Sequence, residues 1–138
     1  MNFLGKKPAR ASPSGPDVAS GSTTRQRGNA AEDQALACLQ AGGLKLLERN
    51  YRTPGRGGGE IDLVMRDRDG TVVFVEVRSR ASNAFGGAGA SIGATKQRRI
   101  VFAARHYLMR MSTPPPCRFD VFLVDASVQW LKAAFDAQ

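Results

Sequence analysis

The stretch GEIDLVMRDRDGTVVFVEVRSR, Gly59 to Arg80, constrains the fold more than any other part of the 138-residue chain. It holds two runs with the apolar, β-branched character of strands, EIDLVMR and VVFVEVRSR, joined by a short turn at Asp69 and Gly70. Each run carries an acid where a strand wants an apolar residue, Asp62 in the first and Glu76 in the second. Burying an unpaired carboxylate costs several kcal/mol. Two explanations stand: each acid is neutralised by a basic neighbour such as Arg78 or Arg80, or both are presented together to something cationic.

Strand alternation puts Glu60, Asp62 and Val64 on one face of the first run and Phe74, Glu76, Arg78 and Arg80 on one face of the second. If the faces coincide across the hairpin, Asp62 and Glu76 are neighbours with Arg78 beside them. Ile61, Leu63, Val73, Val75 and Val77 then share the opposite, core-facing side, which leaves the acids on a single polar surface.

Helices frame this hairpin. NAAEDQALACLQAGG carries Ala31, Ala35, Cys38 and Leu39 at helical spacing from Asn29, and Gly42 supplies the stop. Stepping 100° per residue from Glu32 places Leu36 at about +40°, Leu39 at about −20° and Ala35 at about −60°, so Glu32 lies inside the apolar stripe while Asp33 points outward. LKLLERNYR then reads as a strand and TPGRGGG as a flexible connection.

After the hairpin, the glycine-rich loop SNAFGGAGAS precedes a helix from about Gly93 to Met111 with Ile100, Ala103, Ala104, Tyr107 and Met111 on one face. The loop lacks the residue pattern of a phosphate-binding P-loop and reads as a flap. Lys96 is in line with Ala103 and Tyr107, so its stem runs toward the sheet and it meets either a phosphate or an acid. Arg98 and Arg105 face the other way, and His106 falls at the helix edge as a surface histidine. CRFDVFLVD is a further strand, in which Asp120 pairs with an arginine such as Arg118. VQWLKAAF reads equally as a strand or a terminal helix.

Three carboxylates, Glu32, Asp62 and Glu76, with Lys96 and Arg78 nearby make a sensible divalent-metal site. Mg²⁺ takes oxygen ligands, keeps several waters and binds where carboxylates meet a substrate phosphate. The alternative for Glu32 is a capping or salt-bridge role in the first turn of its helix.

Composition sets the frame. A chain of this length makes one domain with a single real core. No stretch approaches the roughly 18 apolar residues of a membrane span. The N-terminus is basic without the apolar core of a secretion signal, so a cytoplasmic protein is expected. Cys38 and Cys117 stand at no metal-ligand spacing and read as buried thiols. The net charge is +8, which suits a polyanionic partner such as nucleic acid. Half of it lies in residues 1–27, where Lys6, Lys7, Arg10, Arg25 and Arg27 outnumber Asp17. That segment is rich in Pro, Ser and Gly and is expected to be a disordered basic tail before a domain of residues 28–138.

GNAAEDQALACL, LLERNYR, GEIDLV, FVEVRSR, a lysine in the helix after a glycine-rich loop, and RFDVFLV, in this order, resemble the YraN-like family of small bacterial proteins. That family is similar to Holliday-junction resolvases and to the PD-(D/E)XK restriction-endonuclease-like nucleases. The resemblance implies an α/β domain: a restriction-endonuclease-like mixed sheet of four to five strands with flanking helices, in the order helix-strand-strand-strand-helix-strand.

It also implies a Mg²⁺- or Mn²⁺-dependent nuclease that acts on DNA as a homodimer. Asp62, Glu76 and the backbone carbonyl of Val77 would hold the metal, assisted by Glu32. Arg78 takes the place of the motif's lysine, and Arg78, Arg80 and Lys96 would meet nucleic acid. YraN-like proteins usually carry lysine where this chain has Arg78. A guanidinium stays protonated and cannot serve as a general base, so Arg78 is expected to orient the phosphate, with Lys96 standing in for the lysine.

Overall fold

The computed structural model describes residues 24–79, 92–125 and 127–137, with side chains from Asn29. The basic tail as far as residue 23, Arg80 and the SNAFGGAGAS loop lie outside the described residues. The chain divides into two compact units, Met1–Ala30 and Ala31–Gln138, and the sheet belongs wholly to the second.

The elements run α1 (Thr24–Ala41), β1 (Lys45–Arg52), β2 (Glu60–Arg66), β3 (Val72–Ser79), α2 (Ala94–Leu108), β4 (Cys117–Val124) and β5 (Val128–Phe135). The first helix begins at Thr24, ahead of the Asn29 that periodicity suggests. It ends through Gly43 rather than Gly42. Gly43 takes a left-handed φ of 105°, which lets the Leu44 N–H reach back to the Leu39 carbonyl at 3.0 Å.

The five strands form one open mixed sheet in sequence order, β1-β2-β3-β4-β5. All neighbours are antiparallel except β3 and β4, which pair in parallel along their whole length from Val72↔Cys117 to Ser79↔Val124. VQWLKAAF is therefore a strand. The β2–β3 turn is closed by Asp67 N–H to Thr71 O at 2.8 Å and Gly70 N–H to Asp67 O at 3.0 Å, with Gly70 at φ 92°.

Both faces of the sheet are covered, and the expectation of one polar surface is corrected. Tyr51, Val64, Phe74 and Phe119 form a cluster with Ile100, Ala103, Ala104 and Tyr107 of α2. Leu63, Met65, Val73, Val75 and Phe122 form a second cluster with Ala35 and Leu39 of α1. This explains why VVFV of β3 is apolar without alternation, since a strand buried on both sides has no solvent face. Each large side chain so buried contributes about 1.5–3 kcal/mol.

Ile61 also departs from its expected side. It belongs with Val64 and Tyr51 in the α2 cluster, whereas Leu63 belongs with α1. Alternation is broken at this end of the β1–β2 ladder, where Asn50 takes a left-handed φ of 53° next to Tyr51, the ladder partner of Ile61. The break sits beside Asp62.

Candidate functional site

The β2–β3 ladder reaches Leu63↔Val75, and the same register carried one step further brings Asp62 opposite Glu76. There a side chain takes over from the backbone: the Val77 N–H donates to Asp62 Oδ2 at 2.8 Å. Opposite one another on adjacent strands, the Asp62 and Glu76 carboxyls interact electrostatically. Burial, first, and the Glu76 charge, second, push the Asp62 pKa up to about 8, with Glu32 adding to the rise and the Val77 N–H opposing it. In the cation-free protein Asp62 therefore keeps its proton at neutral pH.

Glu76 is buried and pairs with Lys96, Nζ to Oε2 at 3.2 Å, while Lys96 is half-exposed. The α2 periodicity correctly directs the Lys96 stem toward the sheet. Arg78 shares the Glu76 face of β3 by alternation and is half-buried, and among the described residues it forms no ion pair. The neutralising neighbour of Glu76 is thus Lys96 from another element, not the adjacent arginine.

Glu32 is inward as the helical arithmetic requires, with its side chain 12% exposed. Its partner is Arg49 of β1, which bridges Glu32 at 3.4 Å and Asp33 at 2.9 Å. Among the described residues no group of three His, Cys, Asp or Glu side chains stands close enough to hold a metal ion. The structure brings Asp62, Glu76 and Lys96 together, while Glu32 acts on Asp62 only through its charge. Arg49 is the residue that sequence reading misses. Nothing local signals it, because its role depends on α1 crossing β1.

Asp120 makes a separate network. It is fully buried and accepts from Arg118 Nε at 3.1 Å, Trp130 Nε1 at 2.9 Å and the Ala133 N–H at 2.9 Å. Arg118 also reaches Asp67 at 2.8 Å and holds that carboxyl below its usual range. Tyr107 is a core residue, and Trp130 packs partly buried against the α1 cluster. His106 is half-buried and bonded to the Tyr51 hydroxyl, and Cys38 and Cys117 are half-buried free thiols. Among the described residues no helix is long and apolar enough to cross a membrane.

A family model described as uncharacterised protein family UPF0102 matches residues 31–124. A UPF0102 protein of Paracidovorax citrulli is 71% identical over 138 residues, covering 99% of both chains. One from Verminephrobacter eiseniae is 67% identical over 141 residues, covering 100% of this chain and 98% of that one. One from Acidovorax sp. strain JS42 is 63% identical over 138 residues, covering 99% of both.

Proposed function

The chain belongs to the uncharacterised protein family UPF0102, the YraN-like family, and we propose that it is a divalent-metal-dependent nuclease hydrolysing DNA phosphodiester bonds, with branched structures among its candidate substrates. The carrying observation is a shortage of positive charge. Among the described residues the neighbouring carboxyls of Asp62 and Glu76 are served by one half-exposed lysine and one backbone N–H, and Asp62 takes up a proton instead. A bound cation would replace that proton.

The donor set fits a hard ion. Mg²⁺ and Mn²⁺ accept one or two carboxylates with waters and substrate oxygens completing the shell. Val77 supports this set, because its N–H points to Asp62 and the N–H and C=O of one strand residue face the same neighbour. Asp62, Glu76 and the Val77 carbonyl would hold the ion, which when bound activates water and stabilises charge on a phosphate under attack. Glu32, anchored by Arg49, adds negative potential from one side. Arg78 and Lys96 on the α2 side orient the phosphate, the guanidinium as a fixed fork and the ammonium as a mobile point charge. Two symmetric cuts in a junction would suit a homodimer.

The test is cleavage of labelled four-way junction, flap, single-stranded and duplex DNA in Mg²⁺ and Mn²⁺, with Asp62→Ala and Glu76→Ala in parallel. The nuclease reading expects metal-dependent cutting that both substitutions abolish. Arg78, standing where the family usually has lysine, favours a second reading: nucleic-acid binding without cleavage. DNA binding with no cutting, unchanged in both variants, would establish that one.

A further inference from the structure

The connection between β1 and β2, TPGRGGG, reads as flexible but is a tied loop. The Thr53 N–H donates to Gly59 O at 3.2 Å and the Gly59 N–H donates to Thr53 Oγ1 at 3.1 Å, pinching the loop at its base. Thr53 is buried. A Cβ on Gly59 would stand 2.2 Å from the Arg99 carbonyl oxygen of α2, and one on Gly58 would stand 1.6 Å from Thr53 Oγ1. The glycines here are demanded by close approach, and the loop is held against the helix.

Between this loop and α2 lies a cavity of about 400 Å³. Its charged lining is Arg52, Lys96 and Arg99 against Glu60 alone, and its wall includes the backbone of Gly57, Gly58 and Gly59. Arg52 is offset by Glu60 at 3.4 Å. Lys96 is shared with the acidic pair through Glu76. Arg99 is exposed and, among the described residues, has no ion pair. The recess therefore joins an uncommitted guanidinium to a wall with no side chains in the way, and Lys96 links it to the acids.

We propose that this cavity holds a backbone phosphate of the nucleic-acid strand, next along the chain from the phosphate at Asp62 and Glu76, with Arg99 as its main contact. The proposal rests on the nuclease reading for the neighbouring phosphate. Lys96 lies between the two positions, and the glycine wall lets the strand approach the β1–β2 loop closely. The acidic pair alone would repel a polyanion, and a cationic recess beside it supplies the attraction that seats the strand.

The experiment is a salt titration of the affinity of full-length protein for a labelled four-way junction, followed by fluorescence anisotropy in EDTA. Wild type is compared with Arg99→Ala, Arg99→Lys and Arg98→Ala. Removing one cation from a phosphate lowers the slope of log K against log salt by about 0.9. Arg99→Ala is expected to show that reduction, Arg99→Lys to keep the wild-type slope, and Arg98→Ala, whose side chain bonds Thr95 instead, to keep it as well. A wild-type slope in Arg99→Ala overturns the proposal even if Mn²⁺-dependent cleavage is present. A reduced slope with no cleavage by any form leaves the subsite standing and removes the nuclease. No binding by wild type in EDTA likewise overturns the proposal, and the nuclease reading is then decided by the cleavage assay alone.

Discussion

Glu76 and Asp120 are the two buried acids among the described residues, one strand apart in the sheet, and their surroundings are opposite. Asp120 has a guanidinium, an indole N–H and a backbone N–H aimed at its two oxygens. Glu76 has one lysine and an acid for a neighbour. A carboxylate surrounded by donors is finished as part of the core. A pair left short of positive charge is poised for a ligand that brings it, and this difference, rather than burial, separates the structural acid from the candidate site.

The comparison breaks first at Asp120. Asp120→Ala leaves Arg118 with its Nε and a Trp130 N–H unanswered, and is expected to cost about 3–5 kcal/mol in urea unfolding. A near-neutral result would place Asp120 outside the framework of the fold. Cation binding sharpens the contrast next. Mg²⁺ or Mn²⁺ at about one hundred times its dissociation constant adds about 2.7 kcal/mol of stability. Thermal unfolding is expected to show this rise in wild type and to lose it in both Asp62→Asn and Glu76→Gln.

Proton linkage is the third test. The Asp62 carboxyl titrates near 8 when folded, against 3.8 as its ordinary value. Between these values the folded chain holds a proton that the unfolded chain has released, so stability falls as pH rises through the window. Asp62→Asn retains an acceptor for the Val77 N–H and removes the titration. In metal-free buffer it is expected to be more stable than wild type by about 2 kcal/mol at pH 8, less than the several kcal/mol of an isolated buried ion, with the gain fading toward pH 4. A gain that grows toward low pH would contradict the raised pKa. The smallest effect belongs to Arg49→Ala, expected to cost about 1 kcal/mol or less as the loss of a partly exposed ion pair. Denaturant midpoints with an unchanged slope would read it.

Much of this was legible because carboxylates inside apolar runs are expensive wherever they sit. Asp62 and Glu76 stand out in EIDLV and FVEV, and the hairpin turn nearly fixes their register. Glu32 and Lys96 were also readable, since a helix angle follows from counting. What escaped depends on tertiary packing. The VVFV run does not say that α2 covers the face bearing the acids. Counting along EIDLV does not show that Ile61 will join Tyr51 in the α2 cluster. VQWLKAAF suits a strand or a terminal helix equally until β4 offers it an edge. The glycines of TPGRGGG look like freedom, yet two of them are forced by the close approach of Thr53 and of a helix forty residues later.

The single parallel junction in the sheet bears on how the protein assembles. Strands β1 to β3 and strands β4 to β5 are each sewn by short antiparallel connections, whereas Val72 must find Cys117 across the whole α2 crossover. Closing that long loop is the slow, entropy-limited event of such a topology. Asp62 and Glu76 belong to the early meander, and Lys96 travels on the crossover. The two acids thus come from the antiparallel meander, and the counter-charge of Glu76 is delivered by the crossover helix.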